Sequence, residues 1–406
     1  MKFPDYSENP IRFFDNPAAQ RNFAKNHKPA SGMAASKYKI NIIGCGMIGR
    51  EHMSVASLLG LAAVNGVFDV EKESIAKAKQ EFASYASHQL HVYESLEEAC
   101  FDEAVDALFI CTPNFTHFEI LQTALKSGKG IFVEKPMATD LSEAAELVAL
   151  AETYSNFIQL GMQYRYKSQY SQAFCLVKKQ QSLGEVKTIS MSEYRPPFLD
   201  KVEQWNKFNE NSGGTLVEKC CHYFDLINMM AESIPVKVFA TGGQAVNFID
   251  FVHDGKSSDI DDHAFVIIEY ANGVKANFTL NMFCPELEEE LVVVGDKGRL
   301  TAAEKSSFVE GRNSKATLSL EVDSLTGAED FDLTYAPLVE RSGHHGATFF
   351  EHMALIEKLD GGEPDSATPL QGLWALIVAS AAQESIRIGM PVLIKDYLNT
   401  LNIKER

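Results

Sequence analysis

The stretch that decides the fold is Lys39-Ile-Asn-Ile-Ile-Gly-Cys-Gly-Met-Ile-Gly49, near the start of this chain of 406 residues. A short apolar run rich in β-branched residues leads directly into three glycines with the spacing Gly-x-Gly-x-x-Gly. The residues that follow have the pattern of a helix as far as Leu59. A strand, a glycine turn and a helix in this order predict the first βαβ unit of a doubly wound sheet.

Strand-like and helix-like segments continue to alternate downstream. Apolar strand candidates occur at residues 62–69, 107–111 and 130–133, and helix-like segments occur at 70–85, 116–127 and 140–154. The last of these helices opens with the capping box Asp140-Leu-Ser-Glu143. This alternation predicts an α/β fold, with a Rossmann domain over residues 38–158 and an N-terminal extension over residues 1–37.

The periodicity changes after residue 158. Residues 264–270 and 274–283 flank Ala271-Asn-Gly273, which is a hairpin signal, and the second run alternates apolar and polar residues. We therefore expect an α+β domain over residues 159–406 with a largely antiparallel open sheet. The helix-like segments 345–359 and 370–388 are candidates to pack back on the first domain. Either these helices or another subunit must cover the apolar face of the sheet, and we expect a homo-oligomer, a dimer or a tetramer.

Composition narrows the class of partner. Hydrophobic residues make up 45% of the chain and charged residues 23%, and the net charge is −18. Such a charge repels phosphate backbones and anionic membranes, so a small molecule is expected instead of nucleic acid or a membrane. The odd number of cysteines without a Cys-x-x-Cys pair, the polar first 30 residues and the lack of a long apolar run predict a cytoplasmic protein.

Each glycine of the turn has its own chemical use. Gly44 permits the tight turn, Gly46 lets the backbone approach a pyrophosphate, and Gly49 lets the helix pack closely on the strand. The N–H groups of Met47 and Ile48, at the start of the helix, point to the same anion. An ordinary glycine turn is the alternative.

Asp69 comes at the end of the second strand, 20 residues after Gly49. A carboxylate at this place can accept hydrogen bonds from the ribose hydroxyls, and it repels a 2′-phosphate. The sequence therefore favours NAD over NADP as the cofactor.

Five ordered motifs resemble the glucose–fructose oxidoreductase/inositol dehydrogenase (Gfo/Idh/MocA) family. They are the glycine turn, Cys111-Thr-Pro-Asn-Phe-Thr-His117, Phe132-Val-Glu-Lys-Pro136, Gly161-Met-Gln-Tyr-Arg165, and Gly213-Gly214 with His222-x-x-Asp225. The resemblance runs from about Tyr38 to the C-terminus and leaves the N-terminal extension unmatched. It implies further cofactor contacts from Thr112, Pro113, Asn114, His117, Glu134, Lys135 and Gln163.

Lys135 and His222 are the candidates for proton handling. The resemblance assigns Lys135 to substrate and cofactor contact, where its ammonium can polarise a substrate oxygen and a nicotinamide cation would lower its pKa. His222 is the better proton acceptor, because an unperturbed imidazole has a pKa of roughly 6.5. The alternatives are a surface lysine in a turn and a satisfied core histidine.

Glu218 stands four residues before His222, where the family often has Asp. This spacing puts both side chains on one helical face, where Glu218 can orient the imidazole as the third catalytic candidate. The run Thr215-Leu-Val-Glu218 is also a capping box, which gives the glutamate a purely structural alternative. Lys219 adds a second cation near the substrate or points to solvent.

Several side chains offer donors and stacking faces suited to a polyhydroxylated ring: Tyr164, Arg165, Arg195, Trp205, Lys219 and His345. A role in the core is an equal alternative for Trp205. No metal is expected, because Cys220, Cys221 and His222 beside His344 and His345 match no zinc pattern. The aspartates at 259, 261 and 262 likewise lack the glycine and terminal glutamate of a calcium loop.

These features together predict an NAD-dependent oxidoreductase that acts on a secondary hydroxyl of a sugar, sugar derivative or cyclitol. Two alternatives stay open at this point. A redox-neutral glycosidase would recycle its NAD through a transient keto-sugar and release no net NADH. A non-catalytic NAD-binding regulator would need neither Lys135 nor His222.

Overall fold

The computed structural model describes residues 36–306, 314–322, 327–340 and 342–403, together with residue 17. The predicted N-terminal extension, residues 1–37, therefore lies almost entirely outside the described residues. The described residues form two large sheets with helices packed on them, and a separate two-stranded hairpin.

The first sheet is built from parallel strands, each followed by a helix or a turn. Its strands are β1 Tyr38–Ile43, β2 Ala62–Phe68, β3 His91–Val92, β4 Ala107–Ile110, β5 Gly130–Glu134 and β6 Ile158–Gly161. Its helices are α1 Met47–Leu59, α2 Lys72–Phe82, α3 Leu96–Phe101, α4 His117–Ala124 and α5 Leu141–Thr153. The strand order β3-β2-β1-β4-β5-β6 confirms the predicted Rossmann topology, and its switch point lies between β1 and β4.

The apolar runs in the sequence correspond to strands covered on both faces. Ile40, Ile42 and Ile43 of β1 are fully buried, as is expected where helices pack on each side of a parallel sheet. Asp140 caps α5 as predicted, since its side chain accepts hydrogen bonds from the N–H groups of Ser142 and Glu143. The sequence pattern thus places the carboxyl ends of β1, β4 and β5 at one edge.

The second sheet has nine strands and is largely antiparallel. The strands of this sheet are β7 Val186–Tyr194, β8 Pro235–Gly243, β11 His263–Tyr270, β12 Lys275–Asn281, β13 Leu287–Gly295, β14 Arg299–Ser306, β15 Lys315–Glu321, β16 Glu329–Asp330 and β17 Val392–Leu393. Two further strands, β9 Val252–His253 and β10 Lys256–Ser257, pair with each other as a small separate hairpin. The order of the nine strands is β16-β15-β14-β13-β7-β12-β11-β8-β17, and only β7 and β12 run parallel within it.

Helices cover one face of this sheet and return to the first domain. They are α6 Ser168–Phe174, α7 Asn209–Ser212, α8 Thr215–Glu218, α9 Cys221–Ala231, α10 Pro337–Glu340, α11 Ala347–Leu359, α12 Pro369–Ile388 and α13 Ile394–Thr400. Short 3₁₀ or π segments are Asn114–Thr116, Leu125–Ser127, Gln163–Tyr166, Cys175–Lys179, Val202–Lys207 and His344–Gly346. Helix α12 packs on β8 and α5, while α11 packs on α1, so the C-terminal helices do pack back on the Rossmann domain.

The predicted hairpin is present, and its period-2 pattern has the expected consequence. Strands β11 and β12 pair in antiparallel register around Gly273, whose φ of +91° favours glycine. Ala276, Phe278 and Leu280 are buried under the helices, and the residues between them point to the opposite face. On that outer face Phe265 and Ile267 are 55% and 51% exposed.

The predicted capping box at Thr215 is wrong. Helix α8 begins at Thr215 itself, with Gly214 at the N-cap, because the Thr215 hydroxyl donates to the Asp261 carbonyl at 2.6 Å instead of capping the helix. The single helical face predicted for Glu218 and His222 is also wrong, since α8 ends at Glu218 and α9 begins at Cys221. Because Thr215 does not cap the helix, the capping-box role of Glu218 falls away.

Candidate functional site

The glycine turn after β1 leaves an open space in front of α1. A side chain at Gly44 or Gly49 would clash, because an added Cβ would lie 2.6 Å from the Cys111 carbonyl carbon or 2.0 Å from the Gly44 carbonyl oxygen. At Gly46 no heavy atom of the described residues comes within 4 Å of such a Cβ. The helix start has no side-chain cap among the described residues, so its N–H groups point to this space. The geometry fits a bound pyrophosphate, held by Gly46 and the first helical turn.

Asp69 lies at the rim of the same turn. Its Oδ2 accepts a hydrogen bond from the Cys45 N–H at 2.5 Å, and its Oδ1 accepts one from the Glu71 N–H at 2.8 Å. The half-buried carboxylate thus stands at the end of β2, where a ribose would lie beside the pyrophosphate.

The loop after β4 is a scaffold that joins neighbouring strands. His117 is buried, with Nδ1 2.7 Å from the Pro136 carbonyl oxygen and Nε2 2.9 Å from that of Thr112. Asn114 donates to the Ser212 carbonyl at 3.2 Å and so reaches the second domain. The loop is therefore held rigidly around Pro113, next to the glycine turn.

Gln163 follows β6 after one residue, at the edge of the sheet where β5 also ends. We call the space between this edge and the second domain the cleft. The side chain of Gln163 is buried, and its Oε1 has no hydrogen-bond partner in the part of the chain that the structure describes. An unsatisfied buried acceptor loses free energy unless a donor reaches it, so this atom is available to a ligand.

Lys135 extends from the end of β5 to the second domain. Its Nζ donates to the main-chain carbonyl of Glu218 at 2.7 Å and lies 3.8 Å from Glu218 Oε1. Burial by itself lowers the pKa of Lys135, but the negative charges around it, of which Glu218 is the strongest, together outweigh burial and raise the pKa. The amine is therefore protonated at neutral pH, before any nicotinamide cation is bound beside it.

Glu218 is shared by two lysines. Lys201 Nζ lies 3.1 Å from the same Oε1, and this cation also stacks 4.3 Å over the ring of Trp205. Burial alone would raise the pKa of Glu218, but Lys135 and Lys201 outweigh it and lower the pKa to about 2. The sequence analysis missed Lys201, although it lies in the loop between Arg195 and Trp205, whose charge was the available signal.

His222 stacks flat on Tyr164, with ring centroids 4.2 Å apart and an angle of 7° between the planes. Its Nδ1 is buried and has no hydrogen-bond partner among the described residues. Burial, and then the charges of Lys135 and Lys219, lower the pKa of His222 well below the usual 6.5. The imidazole is therefore neutral at pH 7 and able to accept a proton.

Lys219 is 12% exposed, so the alternative in which it points to solvent is wrong, and its contact with the substrate stays a prediction. Its Nζ donates to the Tyr164 hydroxyl at 2.5 Å and lies 3.4 Å from Glu193 Oε1. Arg195 Nη1 lies 3.4 Å from the same oxygen. The two cations therefore share one carboxylate.

The other substrate candidates lie in different surroundings. Arg165 is buried and makes two hydrogen bonds to Asp225, at 2.6 and 2.5 Å, so its guanidinium is already engaged. Trp205 is half-buried under Lys201. His345 Nε2 lies 3.1 Å from Glu304 Oε1.

A row of three glutamates crosses the second sheet beneath these cations. Glu193 of β7, Glu289 of β13 and Glu304 of β14 are direct neighbours in the strand register, and all are buried. Lys167 lies between two of them, 2.8 Å from Glu289 and 2.9 Å from Glu304. Sequence analysis missed this row, because each glutamate lies on a separate strand.

A second buried cluster lies behind Lys135, between α1, β5 and α11. His52 Nε2 is 2.9 Å from Glu134 Oε1, and His52 Nδ1 is 2.8 Å from His352 Nε2. Glu134 Oε2 also accepts the N–H of Lys135 at 3.1 Å. The chain of hydrogen bonds fixes Glu134, so its predicted role beside the cofactor becomes one of holding the strand end.

Glu351 is the unsatisfied member of this cluster. Neither of its carboxyl oxygens has a hydrogen-bond partner among the described residues. Burial, and then the charge of Glu134, raise its pKa well above the usual 4.5. Ligand atoms of His52, Glu134 and Glu351 lie within 4.8 Å of one another, but the first two are already engaged in hydrogen bonds, and we interpret Glu351 as a protonated acid.

His344 and His345, which the sequence analysis compared with zinc patterns, contact different carboxylates. His344 Nδ1 is 2.7 Å from Glu51 Oε1, whereas His345 contacts Glu304. Cys220 and Cys221 are buried. All seven cysteines lie in the described ranges and are free thiols: Cys45, Cys100, Cys111, Cys175, Cys220, Cys221 and Cys284.

Two family models match this chain in the order of its two domains. Residues 38–162 match the oxidoreductase family's NAD-binding Rossmann fold, and residues 179–394 match its C-terminal alpha/beta domain. The chain belongs to the Gfo/Idh/MocA oxidoreductase family. Its N-terminal domain is accordingly an NAD-binding Rossmann domain.

Relatives within this family include inositol dehydrogenases. An inositol 2-dehydrogenase of Acidiphilium cryptum is 31% identical over 288 residues, which are 70% of this chain and 80% of that protein. A myo-inositol 2-dehydrogenase of Thermotoga maritima is 23% identical over 365 residues, 89% of this chain and 99% of that protein. The scyllo-inositol dehydrogenase of Lactobacillus casei, solved with NAD(H) and scyllo-inositol, has the same fold, with a TM-score of 0.69, 20% identity, and coverage of 88% and 99%.

No helix within the described ranges combines the length and apolar character that a membrane span requires.

Replacement by alanine should have different effects at Gly46 and at Gly49. Gly46→Ala adds a methyl group to the open space, so we expect a normal melting temperature and NAD binding weakened about tenfold or more. Gly49→Ala meets the Gly44 carbonyl and should lower the melting temperature as well. Calorimetric titration with NAD and thermal denaturation measure both effects. Unchanged NAD affinity in Gly46→Ala would contradict this placement of the pyrophosphate.

Glu351→Gln is expected to stabilise the protein at alkaline pH. Because the folded-state pKa of Glu351 is raised, its burial costs free energy as pH rises above the unfolded value of about 4.3. The neutral amide removes this cost, so its melting temperature should exceed that of the parent at pH 8 and approach it near pH 4. Glu357→Gln, on the same helix, is the control. A variant less stable than the parent at pH 8 would show that Glu351 is ionised and needed.

Proposed function

We propose that the protein is an NAD-dependent dehydrogenase that oxidises a secondary hydroxyl of a sugar, sugar derivative or cyclitol, and reduces the ketone in reverse. The observation that carries this proposal is the meeting of an amine and an imidazole from two domains: the Glu218 carbonyl holds Lys135 Nζ at 2.7 Å, and the charge of this amine acts on the buried ring of His222, which stacks on Tyr164. The inositol substrates named for several relatives support a polyhydroxylated substrate.

The charge states of Lys135 and His222 give the two side chains different roles. NAD, which the glycine turn around Gly46 and the carboxylate of Asp69 would hold, would supply the hydride acceptor for the carbon that bears the hydroxyl group. Lys135 donates a hydrogen bond to the substrate oxygen and stabilises negative charge on it, and His222 takes up the hydroxyl proton. Glu218 acts through Lys135, which it holds in place and keeps charged. Tyr164 supports the flat face of the imidazole.

NAD is preferred over NADP in this proposal. The carboxylate of Asp69 stands where the ribose 2′ position would lie, and a 2′-phosphate would be repelled there. Arg50 lies nearby, but its guanidinium is engaged by Glu81 at 2.9 Å and by the Cys45 carbonyl at 2.8 Å.

The catalytic assignment predicts a loss of turnover without a loss of cofactor. Lys135→Met and His222→Gln should each lower kcat by roughly 10²- to 10⁴-fold, while calorimetry shows that NAD still binds. The assay is NADH absorbance with a panel of inositols and sugars, and net NADH formation excludes a redox-neutral glycosidase. Lys305→Met, an exposed lysine on β14, is the matched control. Parental turnover in either cleft variant would refute the assignment.

The lowered pKa of His222 also predicts the pH dependence. The base must be neutral, so kcat/KM should be constant at pH 7 and above and fall only below about pH 6.5. That acid limb should disappear from the residual activity of His222→Gln.

We also propose that the protein is a homo-oligomer, a dimer or a tetramer, through the outer face of the second sheet. Phe265 and Ile267 are exposed on this face, while the helices already cover the other one. Replacing both with Lys should reduce the mass measured by light scattering to that of a monomer. An unchanged mass in the variant would contradict this interface.

A further inference from the structure

We propose that the substrate carries an anionic group, a carboxylate or a phosphate, which binds a cation cluster formed by Lys201, Lys219 and Arg195. This inference rests on the proposed dehydrogenase function and names the class of substrate that its cleft selects. A neutral polyol is the alternative that the experiment below must distinguish.

In three ion pairs of the cleft, the cation is more exposed than the carboxylate that it contacts. Lys219 and Arg195 are 12% and 15% exposed, whereas their shared partner Glu193 is fully buried. Lys201 is 29% exposed against 7% for Glu218. A molecule that enters the cleft therefore meets ammonium and guanidinium groups before it meets a carboxylate.

The charges of this region balance in the protein alone. Five cations, Lys135, Lys167, Lys201, Lys219 and Arg195, lie among five carboxylates, Glu134, Glu193, Glu218, Glu289 and Glu304. The nicotinium ring of bound NAD⁺ would add one positive charge, for which a substrate anion would be the counter-charge.

The cations are held in fixed positions, unlike flexible surface lysines. Lys219 is fixed by the Tyr164 hydroxyl, at 2.5 Å, and lies 4.5 Å over the Tyr164 ring. Lys201 stacks on Trp205 at 4.3 Å. Holding charged groups in place before the ligand arrives reduces the entropy lost on binding.

Among the three cations, Lys201 is the one whose charge is costly without a further anion. Burial lowers the pKa of Lys201 in spite of the attraction of Glu218, a carboxylate that also pairs with Lys135, whereas the negative charge of Glu193 helps to raise the pKa values of Lys219 and Arg195. The buried row of glutamates places like charges directly opposite one another, an unfavourable arrangement in a sheet. The glutamate row therefore holds Lys167, Lys219 and Arg195 from the side of the sheet, and its carboxylates do not face the ligand.

The cluster is connected to the proposed catalytic residues through two shared side chains, Tyr164 and Glu218. Lys219 contacts Tyr164, on which His222 stacks, and Lys201 shares Glu218 with Lys135. An anionic group on the substrate ring, or on the carbon attached to it, can therefore reach the cluster while a ring hydroxyl lies at Lys135 and His222.

The test compares three probes that differ only at the sixth carbon: D-glucose, D-glucuronate and D-glucose 6-phosphate. Calorimetric titration of the full chain saturated with NAD should give at least tenfold tighter binding for one of the two acids than for glucose. Whichever acid binds more tightly tells a carboxylate from a phosphate. NADH formation is recorded with the same probes and with myo-inositol.

Variants link the preference to the cluster. Lys201→Met should reduce the advantage of the acid roughly tenfold or more, and it leaves Glu218 paired with Lys135, so the fold is expected to survive. Lys219→Met should act in the same way, although it leaves Glu193 with Arg195 alone. Lys305→Met, exposed on the outer side of the sheet, should retain the parental preference.

Glucose binding as tightly as both acids would overturn the proposal, as would failure of both acids to bind, or an acid preference that persists in Lys201→Met and Lys219→Met. NADH formation from glucose or myo-inositol in those cases would leave the dehydrogenase function standing. The two proposals therefore fail separately.

Discussion

The contact between Lys135 and Glu218 is the constraint on which the site depends. It spans the two domains, because Lys135 ends a strand of the Rossmann sheet and Glu218 ends a short helix of the second domain. Its main-chain hydrogen bond of 2.7 Å fixes the position of the amine, and the nearby carboxylate keeps the amine charged. The same amine helps to keep His222 neutral. One contact thus sets both the geometry and the charge states of the cleft.

Buried charge is the recurring feature of this second domain, and its arrangement explains why the fold tolerates it. Isolated buried carboxylates would cost several kcal/mol each, whereas those of the glutamate row share Lys167, Lys219 and Arg195 among them. Pairing of this kind gives little net stability compared with an apolar core of the same shape. Its retention therefore fits a role in presenting cations to a ligand.

Local sequence patterns were sufficient for the fold and for the NAD-binding Rossmann domain. The strand, glycine turn and helix around Gly46, the cap at Asp140 and the hairpin at Gly273 depend on neighbours a few residues away, and all three are present. Lys135 and His222 were predicted as site residues from motifs that resemble those of a family with a known fold. These features are visible in sequence because the residues that determine them are close together in the chain.

The charge network of the cleft could not be read in the same way. Lys167 and Glu289 are 122 residues apart, and His52 and His352 are 300 apart, so only the tertiary fold brings them together. The capping box at Thr215 failed for a related reason, since a hydrogen bond to Asp261 on a distant segment competes with the local cap. Lys201 was missed because a lysine in a polar loop has no local signature of its partner.

The most direct test of the proposed catalytic site is a crystal structure of the complex with NAD and a slowly reacting substrate analogue. We expect one substrate oxygen within hydrogen-bonding distance, about 2.6–3.2 Å, of both Lys135 Nζ and a ring nitrogen of His222, next to the nicotinamide. A substrate that contacts only one of these side chains, or a nicotinamide ring bound away from both, would contradict it.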